Sequence, residues 1–358
     1  MRRLLLTPGP TPLPPSVLKR LGAPILHHRT REFKDLFAGL QAGLKSVFRT
    51  RRDVLVMAAS GTGAMESAVC NLLSANDRVV VHVTGVFGER FVKIVRAYGL
   101  DPVVLEEAWG DPADPGRLRE TLRRERGVRA VFFQHVDTST AVVNDVRALA
   151  DVVRKESDAL TVVDAVSSLG GERLETDGWA LDVVVSASQK GLMCPPGLAY
   201  ACVGDRAWAV SSVCRSPRFY FDWRAMRKGL PESQTPFTPA ISIVTAQCEA
   251  LRLMSKHGLP RIWAKTASLA EHTRAGLRKM GLELFSKAPA HVLTAACLPE
   301  GVDGKALIRD VRAKTGISMA GGQGRLEGRI VRIAHMGHIN RRDVDAGLKA
   351  LKAYLHKA

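Results

Sequence analysis

Two charged side chains stand at the ends of apolar runs, where folding would carry them out of water. Lys190 follows Val183-Val184-Val185-Ser186-Ala187-Ser188-Gln189, and Asp164 follows Leu160-Thr161-Val162-Val163. A desolvated lysine loses affinity for its proton and becomes a nucleophilic amine at accessible pH. A buried carboxylate costs several kcal/mol unless a cation answers it, so Asp164 calls for a positive partner. A structural salt bridge would meet that need as well as a ligand, and among 52 Lys and Arg residues one lysine alone carries little weight.

Three further groups fall just after apolar runs. Ser60-Gly61-Thr62-Gly63-Ala64 opens a helical stretch, where free backbone N–H groups could hold a phosphate. It lacks the Gly-Lys-Ser/Thr ending of a nucleotide loop and the third glycine of a dinucleotide fingerprint, and an ordinary tight turn would read the same way. Gly85-Val86-Phe87-Gly88 offers an aromatic ring, which would stack on a flat ligand or simply join the core. His135-Val136-Asp137-Thr138-Ser139-Thr140 groups hydrogen-bonding side chains, for a ligand or for capping the next helix. Together, a phosphate cradle, a ring, a buried carboxylate and a lysine match what pyridoxal 5'-phosphate requires: a phosphate to anchor, a ring to sandwich, a ring nitrogen to keep protonated and an aldehyde to capture.

The elements that must position these groups read as an α/β domain. Short, nearly continuous apolar runs at 54–59, 78–83, 102–105, 130–136, 160–166, 182–188 and 198–203 predict seven strands of a mostly parallel sheet. Helical patterns between them, such as 89–98 with Phe91, Ile94, Val95 and Tyr98 on one side, predict helices on both faces. Ligands of such sheets collect at the carboxyl ends of the strands, where all five groups fall. A proline-rich stretch, 231–239, precedes a helix at 241–257. Strands at 292–298 and 330–336 and a last helix from 341 to the C-terminus then predict a smaller α/β domain. The division is 1–20 as a segment reaching the active site, 21–255 as the large domain and 256–358 as the small one.

Composition is that of an ordinary globular protein, 46% hydrophobic and 24% charged, with no apolar run long enough for a membrane span. The N-terminal Met1-Arg2-Arg3-Leu4-Leu5-Leu6 is cut short by Pro8-Gly9-Pro10, unlike a signal peptide. Six scattered cysteines without a C-x-x-C pair predict reduced thiols, no metal site and a cytoplasmic location. The net charge of +17 raises nucleic acid as a partner, but the basic residues are dispersed, several runs are interleaved with acids, and no nucleic-acid motif accompanies them. A solvated basic surface is the reading.

The sequence resembles the class V aminotransferases, of the alanine–glyoxylate and serine–pyruvate type, nearly end to end. The likeness is carried by Thr7-Pro8-Gly9-Pro10-Thr11, Ser60-Gly61-Thr62-Gly63, Gly85-Val86-Phe87-Gly88, Val163-Asp164-Ala165-Val166-Ser167-Ser168, Ser188-Gln189-Lys190-Gly191 and Val331-Arg332-Ile333. It implies the fold type I architecture, with pyridoxal phosphate held by Lys190 as a Schiff base and its ring nitrogen by Asp164. Thr62, Gly63, Ala64 and Gln189 would surround the phosphate, while Phe87, Ser139 and Val166 would lie against the ring. Arg332 would grip the substrate carboxylate, with Gly9 lining that pocket. Thr235 and Thr238 would reach the partner subunit's phosphate across a homodimer. Phe87, Ala64 and Thr235 stand where the animal glyoxylate enzymes carry Trp, His and Tyr, and Ala141 where the family often has Gly.

The expected reaction moves an amino group from alanine or serine to glyoxylate or pyruvate. An aminoethylphosphonate transaminase, or a cysteine desulfurase or kynureninase-like lyase, are the rival readings on this fold, and a non-catalytic nucleic-acid-binding protein is a remote one. Desulfurases stack a histidine on the ring and use a mobile cysteine, whereas Phe87 stands here and no cysteine sits in a flexible polar loop.

Overall fold

Seven strands build the main sheet of the computed structural model, which describes residues 3–356. They are β1 (Asp53–Met57), β2 (Arg78–Val83), β3 (Val103–Glu106), β4 (Val128–Gln134), β5 (Leu160–Asp164), β6 (Val183–Ala187) and β7 (Ala199–Val203). Their order is β1-β7-β6-β5-β4-β2-β3. Only β7 is antiparallel to its neighbours. The expected mostly parallel sheet is present because both its faces are covered. Val54 and Val56 pack into one hydrophobic cluster with Phe33, Phe37 and Leu40 of the helix Arg31–Phe48. Leu55 and Met57 point the other way, to Met65, Ala68 and Val69 of the helix Gly61–Leu72.

Of the boundaries that differ from the sequence reading, two have a side-chain reason. β5 stops at Asp164 rather than 166, because Asp164 Oδ1 accepts the Val166 N–H at 2.8 Å and turns the chain out of the sheet. The helix expected from 89 begins at Val86 and runs to Ala97. Its first N–H groups are capped from a distant loop: Val86 N–H donates to Ser139 Oγ at 2.9 Å and Phe87 N–H to Asp137 Oδ2 at 3.0 Å.

A second hydrophobic cluster, with Leu277, Ile333, Val344 and Leu351, lies under a three-stranded sheet. Its strands are β8 (Leu293–Cys297), β9 (Ala320–Gly321) and β10 (Ile330–Ala334), antiparallel in the order β8-β10-β9. The two-residue β9 has no apolar run to announce it. The last helix spans Arg341–Leu355, and the end of the predicted helix at 357–358 lies outside the described residues.

The N-terminus belongs to this second unit. Leu4–Leu5 pairs in parallel with Ile317–Ser318, Leu6 accepts the Ala334 N–H at 2.8 Å, and the Leu6 side chain is fully buried in the second cluster. The chain then crosses to the main sheet. Thr11 N–H donates to the Gln189 carbonyl at 3.2 Å, and Thr11 Oγ1 donates to the Lys190 carbonyl at 2.9 Å. Among the described residues no helix is long and apolar enough to cross a membrane.

Candidate active site at the carboxyl edge of the sheet

Lys190 lies in the turn that leaves β6, three residues beyond its last strand residue, Ala187. Gly9 presses against it. A β-carbon at Gly9 would stand 2.5 Å from Lys190 Cδ and Cε, and its φ of +141° is one that side chains rarely adopt, so only glycine fits. Burial pushes the ammonium pKa down to about 8, and the Arg332 charge pushes it the same way, while Asp164 opposes. The result is an amine that a modest rise in pH deprotonates.

Asp164, one strand over, is 3% exposed. One oxygen takes the Val166 N–H; the other has no hydrogen-bond donor among the described residues, and no cation pairs with it directly. Burial is the main force that pushes its pKa up to about 6, with Asp137 adding to it and Lys190 and Arg90 opposing. Since the folded-state pKa lies above the 3.8 of an unfolded aspartate, the native state holds the proton more tightly. Stability of the cofactor-free protein therefore falls as pH rises from about 4 to about 6, by roughly 3 kcal/mol at 1.36 kcal/mol per pH unit. Replacing the carboxylate by an amide removes this cost. Asp164→Asn is expected to stabilise the cofactor-free protein by up to about 3 kcal/mol above pH 6 and to give no gain below pH 4, measured by unfolding at pH 8 and pH 4. Equal gains at both pH values would count against an ionised, unpaired Asp164.

The helix Gly61–Leu72 aims its N-terminus at the same edge. Ser60 gives it no side-chain cap. Gly63 and Ala64 N–H groups turn back to the Ser60 carbonyl at 2.9 and 3.3 Å, leaving those of Gly61 and Thr62 without an acceptor among the described residues. The open donors thus fall inside the expected Ser60–Ala64 cradle, at Thr62 and the residue before it, while Ala64 is fully buried. Val166 packs so closely on the turn that a β-carbon at Gly61 would lie 2.8 Å from its Cγ2. Gln189 brings a buried Oε1 that has no hydrogen-bond partner.

Phe87 is held beside Lys190, whose Nζ lies 5.9 Å from the ring centroid. The backbone there is fixed by Asp137, which is fully buried and also accepts the Ser139 N–H at 2.9 Å and its Oγ–H at 2.5 Å. Ser139 was expected to touch the cofactor. Its hydroxyl donates to Asp137 and accepts from Val86, and so also serves the turn that carries Phe87. Asp137 escaped the sequence reading as a site residue, although it follows an apolar run just as Asp164 does.

Arg332 comes from β10, yet reaches the main sheet. It is 5% exposed; Nε donates to the Gly321 carbonyl at 2.8 Å and Nη1 to the Thr138 carbonyl at 2.6 Å, with Gln323 Oε1 at 3.4 Å. Burial lowers its pKa to about 10, which leaves it cationic at neutral pH. Nη2 has no acceptor among the described residues. Thr235 and Thr238 are not part of this group within the chain. They line a narrow cavity with Ala58, Tyr220 and Phe237, and Thr235 Oγ1 donates to the Phe237 carbonyl at 2.7 Å.

The open groups fit pyridoxal phosphate: two N–H donors at a helix start, a carboxylate lacking a cation and an amine poised to lose its proton. Fold and site together define a pyridoxal-phosphate-dependent transaminase. The family model described as aminotransferase class-V matches residues 3–339, and the chain belongs to that family. It is 34% identical to a serine–glyoxylate aminotransferase of Methylorubrum extorquens, over 95% of this chain and 87% of that one. It is 40% identical to a protein named soluble hydrogenase, small subunit, of a Synechococcus species, over 99% and 93%. The solved structure of an alanine–glyoxylate aminotransferase from a Nostoc species superposes with a TM-score of 0.95 at 31% identity, covering 99% of this chain and 96% of that one.

Proposed function

We propose that this enzyme transfers the amino group of a small amino acid, serine or alanine, to a small 2-oxo acid, glyoxylate or pyruvate. The observation that carries the reading is Arg332, a cation held across from Lys190 by backbone carbonyls, with one guanidinium edge left for a carboxylate. The names of the glyoxylate-using relatives support the acceptor. These groups carry the reading over the hydrogenase name of the cyanobacterial relative.

Bound pyridoxal phosphate supplies an aldehyde that captures amines and a ring that withdraws electrons from the carbon next to the nitrogen. Lys190 would hold the cofactor through its amine, and as a free amine it would move the proton at substrate Cα. Asp164 would keep the ring nitrogen protonated, and the charge there would be the partner its burial requires. Gly61 and Thr62, with Gln189 through its amide N–H, would hold the phosphate, Gly63 and Ala64 would shape the helix start, and Val166 and Phe87 would confine the ring. Gly9 keeps the substrate side clear beside Lys190.

A homodimer is part of the proposal, with Thr235 and Thr238 serving the partner's phosphate. Ile25, Phe219 and Tyr220 are 72%, 80% and 43% exposed, and Phe219 and Tyr220 pack on Phe237 of that segment, an apolar patch of the kind that subunit contacts cover. A cytoplasmic location accords with six unpaired thiols. Those thiols disfavour desulfurase chemistry: burial pushes Cys70, Cys202 and Cys248 to about 12 and Cys194 higher still, far from thiolates at neutral pH.

The test is spectroscopic. Purified protein with pyridoxal phosphate should show a visible band that bleaches on adding serine or alanine and returns with glyoxylate or pyruvate, in particles of twice the 38.9 kDa chain mass. A band that no small amino acid bleaches would sink the substrate assignment.

A further inference from the structure

Arg90 is a second arginine in this site, and the sequence reading assigned it no task. It lies in the helix Val86–Ala97, one turn beyond Phe87. Its Nη1 donates to Thr62 Oγ1 at 3.0 Å, and its Cζ stands 4.7 Å from the centroid of the Phe87 ring. It has no ion pair among the described residues, whereas Arg52, likewise only half-buried, has one with Asp177. Its charge is felt at both Asp164 and Lys190.

We propose that Arg90 is a positioning residue for the cofactor's phosphate, acting through Thr62. This rests on the reading of Thr62 as a phosphate ligand. A guanidinium only donates, so in the Arg90–Thr62 bond the hydroxyl oxygen is the acceptor. The single Thr62 hydroxyl hydrogen must then point elsewhere. No acceptor for it exists among the described residues, and the neighbouring open groups are the Gly61 and Thr62 N–H donors. Arg90 thereby turns Thr62 from a rotor that either gives or takes into a third donor beside two others, a pattern that selects an anion. The unpaired guanidinium adds a positive field to that corner without occupying it. Its cation–π contact with Phe87 ties the same side chain to the ring wall, so phosphate cradle and ring wall are held by one residue.

The prediction separates the phosphate from the rest of the cofactor. Cofactor-free wild type, Arg90→Gln, Arg90→Lys and Thr62→Val are titrated with pyridoxal phosphate and with pyridoxal, which has the aldehyde and ring but no phosphate, and the dissociation constants are read from absorbance. Losing an oriented, charge-supported hydrogen bond weakens binding roughly 10- to 100-fold. Arg90→Gln should show that loss with pyridoxal phosphate and less than about a threefold loss with pyridoxal. Arg90→Lys, which keeps the charge and loses the planar fork, should fall between Arg90→Gln and wild type. The double variant Arg90→Gln/Thr62→Val should bind no more weakly than Thr62→Val alone beyond about threefold, because both act through one hydroxyl.

Equal losses for both ligands would overturn the proposal and make Arg90 a support of the fold or of Phe87, as would unchanged binding of pyridoxal phosphate. Strictly additive losses in the double variant would overturn the route through Thr62. If Arg90→Gln does not fold, Arg90→Lys and Thr62→Val still give the ligand comparison. Failure of the wild type to bind pyridoxal phosphate would instead refute the reading of the site, and so is distinguishable.

Discussion

Lys190→Ala should lower turnover at least about a thousandfold and abolish the visible band of the purified protein. The size follows from the two tasks one amine performs, capture of an aldehyde and movement of a proton at substrate Cα, each worth orders of magnitude. Lys190→Arg should fail as completely, since it keeps the charge and loses the nucleophile; survival of activity in either variant would remove Lys190 from the chemistry. A pH signature accompanies this. With the lysine near 8, the neutral fraction grows about tenfold per pH unit below that value, so capture of pyridoxal phosphate by cofactor-free wild type should accelerate up to about pH 8 and then level off. A rate still rising at pH 10 would mean that burial does not depress this amine.

Arg332→Met should cost roughly 100- to 1000-fold in kcat/KM for the amino donor, from the loss of charge-assisted bonds worth about 1.5–3 kcal/mol each. The methionine roughly fills the space, so the effect should reflect lost recognition rather than a hole. The cofactor band should still form. Because the Arg332 charge is one cause of the low lysine pKa, its removal should also move the capture profile toward higher pH. Wild-type kcat/KM in Arg332→Met would place the substrate carboxylate elsewhere; a lost band with intact folding would make Arg332 a cofactor residue.

Lys190 and Asp164 were legible in the sequence because apolar runs lead straight to them, and a strand buried on both faces fixes where its next residue must be. The seven strands were legible for the same reason. Asp137 was hidden only by its company, a string of polar residues in which capping explained everything. Arg90 was hidden by number, as one of 52 basic residues whose spacing says nothing about which hydroxyl it meets. The Thr138 carbonyl that orients Arg332 belongs to the backbone, and no residue type announces it. Ala141 shows the limit from another side: its φ of +58° is left-handed backbone that glycine adopts freely, which gives a physical reason for glycine at that place and none for the alanine found there.

The pairing of Leu4–Leu5 with Ile317–Ser318 has a consequence for biosynthesis. Residues 4–11 leave the ribosome well before Ile317–Ser318, yet their resting place beside Lys190 is anchored to those later residues. A nascent chain can assemble the main sheet, with Asp164 and Lys190 already on its edge, while Gly9 and Thr11 still have nothing to hold them there. The lysine pocket can therefore close only after Ile317–Ser318 are made, and a chain arrested before residue 317 would carry its reactive amine without the cover that the folded enzyme gives it.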